Sequence, residues 1–186
     1  MIKHPKSAND LIERVLAGNR RAQARLYERF APYSLAIIGR YGIPQKAEAD
    51  VLQEIFLEVF TKLDRYNARK GKFTTWLRQI TVFRCLDYQR RHQRLIFRPV
   101  PETDFADYAT EASISQANTE ELLDLIKSLP TGYRTIFNLY AVEGYRHQEI
   151  ALLLGISEQT SRSQYHRARQ KLREALKKTV TATYHE

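Results

Sequence analysis

The sequence is poor in the residues that form cross-links and tight turns. It has one cysteine, Cys85, which excludes an internal disulfide and a cysteine-based metal cluster. Glycine and proline number 7 and 6 in 186 residues, and β-branched alternation is absent. No run approaches the roughly 18 apolar residues of a membrane span, and the N-terminus lacks an apolar signal core. These absences predict a helical, cytoplasmic protein that does not insert into a membrane.

Positive charge, in contrast, is abundant. Lys and Arg total 30 against 21 Asp and Glu, which gives a net charge of +9 and a pI near 9.7. This balance favours polyanionic partners such as nucleic acid. The five histidines are scattered without metal-ligand spacing, and no glycine-rich phosphate loop or nucleophile motif is present. We therefore expect no metal, no cofactor, no small-molecule substrate and no enzymatic activity.

Apolar residues recur at helical spacing along both halves of the chain. This pattern predicts an all-α fold of two small helical domains, at 8–97 and 120–180, joined by a flexible acidic linker at 98–119. The linker prediction rests on Pro99 to Glu121, which holds six acidic residues and no Lys or Arg. This segment is either a solvated spacer or a negative strand that lies in a basic channel of a partner.

Four helices are predicted in the first domain. A short helix contains Leu11 to Leu16. A longer helix follows, which is bent at Pro32 and carries one apolar stripe. The third helix is expected from about Lys46 to Tyr66 and the fourth from about Phe73 to Leu95. The apolar stripe of the long helix is Leu26, Phe30, Ile37 and Tyr41.

The segment Gln148 to Ser157 has the pattern of a helix-turn-helix. Ala151 is small where two helices cross, Gly155 follows four residues later at the turn, and Ser157 caps the next helix. Ser161 interrupts the inward stripe of that helix, and we expect its hydroxyl to bond a carbonyl one turn back. The inward stripe is Tyr165, Ala168, Leu172 and Leu176, and the free face opposite carries Gln159, Ser163, His166 and Gln170.

The second helix of the predicted helix-turn-helix has the charge and width to bind duplex DNA. From Arg162 to Lys178 it has seven basic residues and one acidic residue. A helix of this width fits the major groove, and cations on its flanks can hold phosphates.

The first domain presents two further faces. On the third helix, Asp50, Gln53, Glu54 and Leu57 share one surface, which in a basic protein suggests a protein partner. On the fourth helix, Phe73, Leu77 and Ile80 point inward. A different stripe holds Trp76, Phe83, Asp87 and Arg90. The rings of Trp76 and Phe83 either stack on unpaired bases or pack in the core.

Three motifs in this order resemble those of a bacterial RNA polymerase sigma factor of the sigma-70 family, in its extracytoplasmic-function group. The resemblance covers about Asp10 to Leu95 and Leu122 to Leu176. The motifs are Ala49–Phe56, then Phe73–Leu77 with Asp87, Arg90 and Arg91, then the helix-turn-helix ending in His166–Ala168.

The resemblance implies that the chain binds core RNA polymerase and promoter DNA, and that an anti-sigma factor restrains it. The turn from Asn67 to Lys72 would correspond to the loop that captures a flipped base. The polymerase-binding candidates are Asp50, Gln53, Glu54, Phe56 and Leu57. The minus-10 candidates are Lys72, Trp76, Phe83, Asp87, Arg90 and Arg91. The minus-35 candidates are Ser157, Gln159, Thr160, Arg162, Ser163, His166, Arg167 and Arg169.

The chain departs from the family pattern at several positions. Phe83 stands where asparagine is usual, so base readout there would either rely on stacking or have a different base preference. Arg84 replaces an apolar residue, and we expect its guanidinium to reach outward to solvent. Ser161 and Arg162 replace valine and lysine, which alters packing but keeps the charge.

Two alternative functions stay open at this point. One is a two-domain transcription regulator whose first half senses a ligand or dimerises. The other is a nuclease that uses Asp50, Glu54 or histidines with a metal. The regulator explains the helix-turn-helix but leaves the ordered motifs of the first domain unexplained.

Overall fold

The structure is a computed structural model that describes residues 7–92 and 119–183, with side chains described from 7 to 92 and from 123 to 176. The predicted linker, apart from its last residue, lies outside these ranges. The described elements are all helical and fall into two compact units, which confirms the predicted all-α class. The first unit contains α1 (Ala8–Leu16), α2 (Arg20–Tyr41), α3 (Gln45–Thr61), a 3-10 turn (Leu63–Arg65) and α4 (Phe73–His92). The second contains α5 (Thr119–Ser128), α6 (Thr131–Phe137), a π-helical turn (Asn138–Val142), α7 (His147–Leu154) and α8 (Glu158–Thr183).

Helix α1 begins earlier than its apolar residues indicate, because a capping box fixes its start. The Ser7 Oγ accepts the Asp10 backbone N–H at 3.0 Å, and the Asp10 carboxylate accepts the Ser7 N–H at 3.3 Å. This reciprocal pair satisfies two backbone donors that a helix start leaves unbonded.

Helix α2 continues through Pro32, whose ring is on the exposed side. All four residues of its predicted apolar stripe are buried, from Leu26 to Tyr41. The chain then turns at Gly42, which has a φ of 67°.

Helix α3 ends at Thr61, five residues before the predicted end at Tyr66. The chain tightens into the 3-10 turn, in which Arg65 N–H bonds Lys62 O and Tyr66 N–H bonds Leu63 O. Such i→i+3 bonds are usual where an α-helix ends. Leu63 nevertheless stays fully buried, so the apolar pattern continues after the α-helix has stopped.

The helix-turn-helix forms as its sequence predicts. Gly155 ends α7 in the left-handed conformation at φ 67° and ψ 37°, and its N–H bonds Ala151 O. Ile156 N–H also reaches Ala151 O, at 3.1 Å. Ser157 Oγ accepts the Thr160 N–H at 2.9 Å and so caps α8.

The π-helical turn after α6 has no signal in the sequence. Glu143 N–H bonds Asn138 O at 2.9 Å, five residues back, so the helix widens by one residue. The Tyr140 ring, within this turn, stacks on His147 at the start of α7 with 4.2 Å between centroids. This ring contact joins the π-helical turn to the first helix of the helix-turn-helix.

Gly155→Ala should destabilise the second unit by about 1 to 2 kcal/mol, because a side chain in the left-handed region crowds its own backbone. Denaturant unfolding followed by circular dichroism measures the loss. Gly39→Ala is the matched control, since Gly39 lies inside α2 with open space around it. It should stabilise the first unit by about 0.5 to 1 kcal/mol. Equal effects of the two changes would contradict the role of the turn.

Candidate functional site

The outer face of α3, predicted from helical spacing, is accessible to solvent. Asp50 and Gln53 are exposed, and Leu57 is 71 % exposed. Phe56, predicted to bind polymerase, is only 2 % exposed, because its ring packs edge-on against Tyr27 at 4.7 Å between centroids. The prediction of a partner contact for Phe56 is therefore corrected, and the ring holds α3 in the core instead.

Arg84 crosses from α4 to α3 instead of reaching outward, which corrects the expectation for this residue. Its Nε donates to Glu58 Oε2 at 2.5 Å, and its Nη1 lies 3.6 Å from Glu54 Oε2. Lys62 donates to the other oxygen of Glu58 at 2.5 Å. Partial burial alone would raise the pKa of Glu58, but the hydrogen bonds from Lys62 and Arg84 outweigh it and lower that pKa. The carboxylates of Glu54 and Glu58 on the neighbouring helix explain why an arginine is accommodated here. The sequence pattern of α4 alone did not indicate these partners.

A second arginine joins two residues that the sequence assigns to different surfaces. Arg91 Nη2 lies 3.2 Å from Glu54 Oε2 on α3 and 2.5 Å from Asp87 Oδ2 on α4. The hydrogen bond to Glu54 is the largest cause that raises the pKa of Arg91, and the hydrogen bond to Asp87 is the next largest. A candidate polymerase-binding carboxylate is thus bonded directly to a candidate promoter-binding cation.

The aromatic stripe of α4 divides into a packed ring and an exposed ring. Trp76 is half-buried, with its ring 5.8 Å from Tyr66 and 5.7 Å from Phe73. Phe83 is 46 % exposed, and Arg90 is exposed near the end of the helix. The Trp76 ring is therefore partly used in packing against Tyr66 and Phe73, while the Phe83 ring is accessible to solvent.

A cleft of about 540 Å³ opens beside the turn from Asn67 to Lys72. Tyr66 shapes it by donating its hydroxyl to Gly71 O at 3.1 Å, and Asn67 Oδ1 accepts the Arg69 N–H at 2.9 Å. Sequence reasoning identified the turn but missed residues that α1 and α2 contribute. The polar and aromatic lining includes Asn9, Arg29, Tyr66, Arg69, Lys70 and Lys72.

The outer face of α8 is less open than its sequence indicates. Ser157, Gln159 and Arg162 are exposed, whereas Ser163 is 2 % exposed and donates its hydroxyl to Thr160 O at 3.0 Å. The prediction that Ser163 lies on a free face is therefore wrong, since its hydroxyl is bonded back to its own helix. The half-buried members of the predicted set are Thr160, His166, Arg167 and Arg169.

Arg162 and Arg169 on α8 each contact a neighbouring side chain. Arg162 donates to Glu158 Oε1 at 2.5 and 3.1 Å through two nitrogens. The guanidinium of Arg169 lies 5.9 Å from the centre of the Tyr165 ring. These contacts hold the side chains along the helix.

Ser161 bonds a histidine instead of the expected carbonyl. Its Oγ lies 2.9 Å from Nδ1 of His147, and both residues are buried. Burial lowers the pKa of His147, the nearby charge of Arg162 lowers it further, and Glu158 opposes the shift. The serine that breaks the apolar stripe thus provides a partner for a buried ring nitrogen 14 residues earlier.

Within the described ranges, no cluster of histidine, cysteine and carboxylate side chains has the arrangement of a metal site. The described helices include none that is both long and apolar enough to cross a bilayer.

The second unit should lose stability as pH falls below the ordinary histidine pKa of about 6.5. Because the folded pKa of His147 is lowered, the unfolded chain takes up the proton first. The contribution of neutral His147 to the stability of the second unit is therefore full above about pH 6.5. It is lost as pH falls towards the lower pKa of His147 in the folded state. Denaturation at about pH 7.5 and about pH 5.5 measures this loss, and His147→Gln should reduce it. The same pH dependence in both proteins would refute the assignment.

Residues 26–95 match the family described as Sigma-70 region 2, and residues 119–172 match Sigma-70, region 4. The chain is 34 % identical over 139 residues to the ECF RNA polymerase sigma factor SigE of Mycolicibacterium smegmatis, across 72 % of this chain and 53 % of that protein. It is 32 % identical over 167 residues to the RNA polymerase sigma factor CarQ of Myxococcus xanthus, across 89 % of this chain and 95 % of that protein.

The chain therefore spans about half the length of SigE and nearly all of CarQ. Among solved structures, CnrH in complex with the cytosolic domain of CnrY aligns with 90 % of this chain and 95 % of that chain, at 26 % identity and a TM-score of 0.47. Given the two family regions and the relative matched along nearly its whole length, this chain belongs to the sigma-70 family of RNA polymerase sigma factors, in the extracytoplasmic-function group.

Proposed function

We propose that this chain is a non-catalytic initiation factor that binds core RNA polymerase and directs it to specific promoters in the cytoplasm. It helps melt the minus-10 element and reads the minus-35 element. The observation that carries the proposal is the presence, in one chain, of both sigma-70 regions with an exposed face in each. Residues 8–97 would act as region 2, 98–119 as the linker and 120–180 as region 4.

The polymerase would bind the outer face of α3. An exposed leucine beside polar and acidic side chains has the composition of a protein-binding surface, with an apolar anchor and a polar rim. Leu57 is the anchor, and Asp50, Gln53 and Glu54 are the rim. Phe56 contributes only by holding the helix in place.

Melted minus-10 DNA would lie along α4 and in the cleft beside the turn from Asn67 to Lys72. The cleft is large enough for a nucleobase, and its cations suit the flanking phosphates. Phe83 is exposed and can stack on a base, an interaction worth about 1 to 3 kcal/mol. The remaining proposed contacts of this segment are Lys72, Trp76, Asp87, Arg90 and Arg91.

The duplex minus-35 element would be read by α8. Gln159 and Arg162 are exposed on the first turns of the helix, where a recognition helix approaches base edges. Arg162 must exchange Glu158 for DNA to do so. Ser157, Thr160, His166, Arg167 and Arg169 are proposed as supporting contacts, and Ser163 would have to turn away from Thr160 O before it could take part.

We propose an anti-sigma factor as the regulatory partner. The outer faces of α3 and α8 carry exposed side chains, which a protein inhibitor could cover. Occlusion of either face would prevent initiation, since initiation requires both polymerase and promoter contacts.

Run-off transcription with purified core polymerase and genomic fragments tests the function. The chain should produce defined start sites that core enzyme alone does not produce. If the chain binds an operator alone, and gives neither core binding nor start sites, the regulator alternative is correct.

Replacing the α3 anchor should weaken core binding without unfolding the chain. Gln53→Ala combined with Leu57→Ser should lower affinity for core polymerase about tenfold or more, because an apolar anchor and a rim amide are lost together. Fluorescence anisotropy of labelled chain titrated with core enzyme measures the effect.

Leu16→Ser is the matched control for this change, because Leu16 is 55 % exposed on α1, outside the proposed face. Affinity should be unchanged in this variant. Similar losses in the control and the α3 variant would show that general surface apolarity, and not the α3 face, drives binding.

A further inference from the structure

Four charged side chains on α3 and α4 form a connected set, which we call the α3–α4 charge bridge: Glu54, Arg84, Asp87 and Arg91. Arg91 bonds both carboxylates, at 3.2 Å to Glu54 and 2.5 Å to Asp87. Arg84 Nη1 approaches the same two groups, at 3.6 and 4.0 Å. The bridge holds two negative and two positive charges, so it is neutral in a chain of net charge +9.

The two arginines of the bridge are held very differently. Arg84 is anchored by its 2.5 Å bond to Glu58, whose side chain is largely buried and also bonds Lys62. Arg91 and its two partners are each close to half exposed. Exposed ion pairs are weak and exchange readily with other ions. Arg91 is therefore the member of the bridge that can leave, while Arg84 stays fixed.

We propose that Glu54 is a positioning residue that couples polymerase binding to promoter binding by holding Arg91 in the free factor and releasing it when core enzyme engages Glu54. This inference rests on the proposed function, in which α3 meets polymerase and α4 meets DNA. Engagement of Glu54 by a cationic group of the polymerase leaves Arg91 with Asp87 as its remaining carboxylate partner, while Arg84 stays bonded to Glu58. The bridge then carries an excess positive charge and attracts a phosphate of the promoter strand.

The coupling acts in both directions, as thermodynamic linkage requires. A promoter phosphate that binds Arg91 frees Glu54 and so strengthens its contact with polymerase by the same factor. Asp87 keeps its bond to Arg91 within α4 and so holds the released guanidinium at the DNA-facing helix.

The test uses the 186-residue chain without polymerase and a fluorescently labelled single-stranded minus-10 oligonucleotide. Glu54→Gln removes the carboxylate that holds Arg91 and should tighten binding. Asp50→Asn is the matched control, because it removes the same charge from an exposed position one turn earlier on α3 that takes no part in the bridge.

Glu54→Gln should bind about two- to fivefold more tightly than Asp50→Asn, as expected for release of one exposed ion pair. Its salt dependence should steepen by about 0.7 in log–log slope, because one more phosphate contact forms on a single strand. In an Arg91→Gln background, both differences between the two variants should vanish.

Equal affinities and slopes for Glu54→Gln and Asp50→Asn would overturn the inference, as would a difference that persists in the Arg91→Gln background. Thermal melting of each variant by circular dichroism confirms that the compared proteins are folded. Run-off transcription by the wild-type chain reports separately on the proposed function. Defined start sites together with equal oligonucleotide binding would therefore reject the coupling alone.

Discussion

The structure of the first unit depends on the packing of α3 against α4. Their buried faces meet in an apolar core, and the bond from Arg84 to Glu58 fixes the edge of that contact. Because each helix has one face in the core, its opposite face is left for a partner. The proposed polymerase and minus-10 contacts therefore lie on two sides of one packed helix pair, and the charge bridge runs along the seam between the two helices. A change at this seam affects both surfaces.

In the second unit, the equivalent constraint is the left-handed turn at Gly155 with the Ser157 cap. These two features set where α8 starts and which residues occupy its first turns. Behind the turn, His147 lies between the Tyr140 ring and the Ser161 hydroxyl. A buried polar pair thus supports α8 at the position where an aliphatic residue would normally pack.

Sequence patterns predicted what depends on local periodicity and failed where distant residues meet. The stripe on α2, the turn glycine and the cap follow from spacing alone, so they were predicted correctly. The partner of Ser161 could not be predicted, because His147 lies 14 residues earlier on another helix, α7. Arg84 was misjudged for the same reason, since Glu58 lies on another helix. Phe56 shows a third limit: resemblance to a family motif does not distinguish a contact residue from the core residue that supports it.

Under the proposed function, both units of one chain act on the same promoter together with core polymerase. Footprinting of a single promoter fragment tests it most directly, with nuclease protection reporting the minus-35 element and permanganate reactivity of thymines reporting melting of the minus-10 element. We expect both signals when core enzyme and chain are combined. With either component alone, we expect neither full protection of the minus-35 element nor reactive thymines in the minus-10 element. Full protection by the chain alone, with no reactive thymines after core enzyme is added, would contradict it.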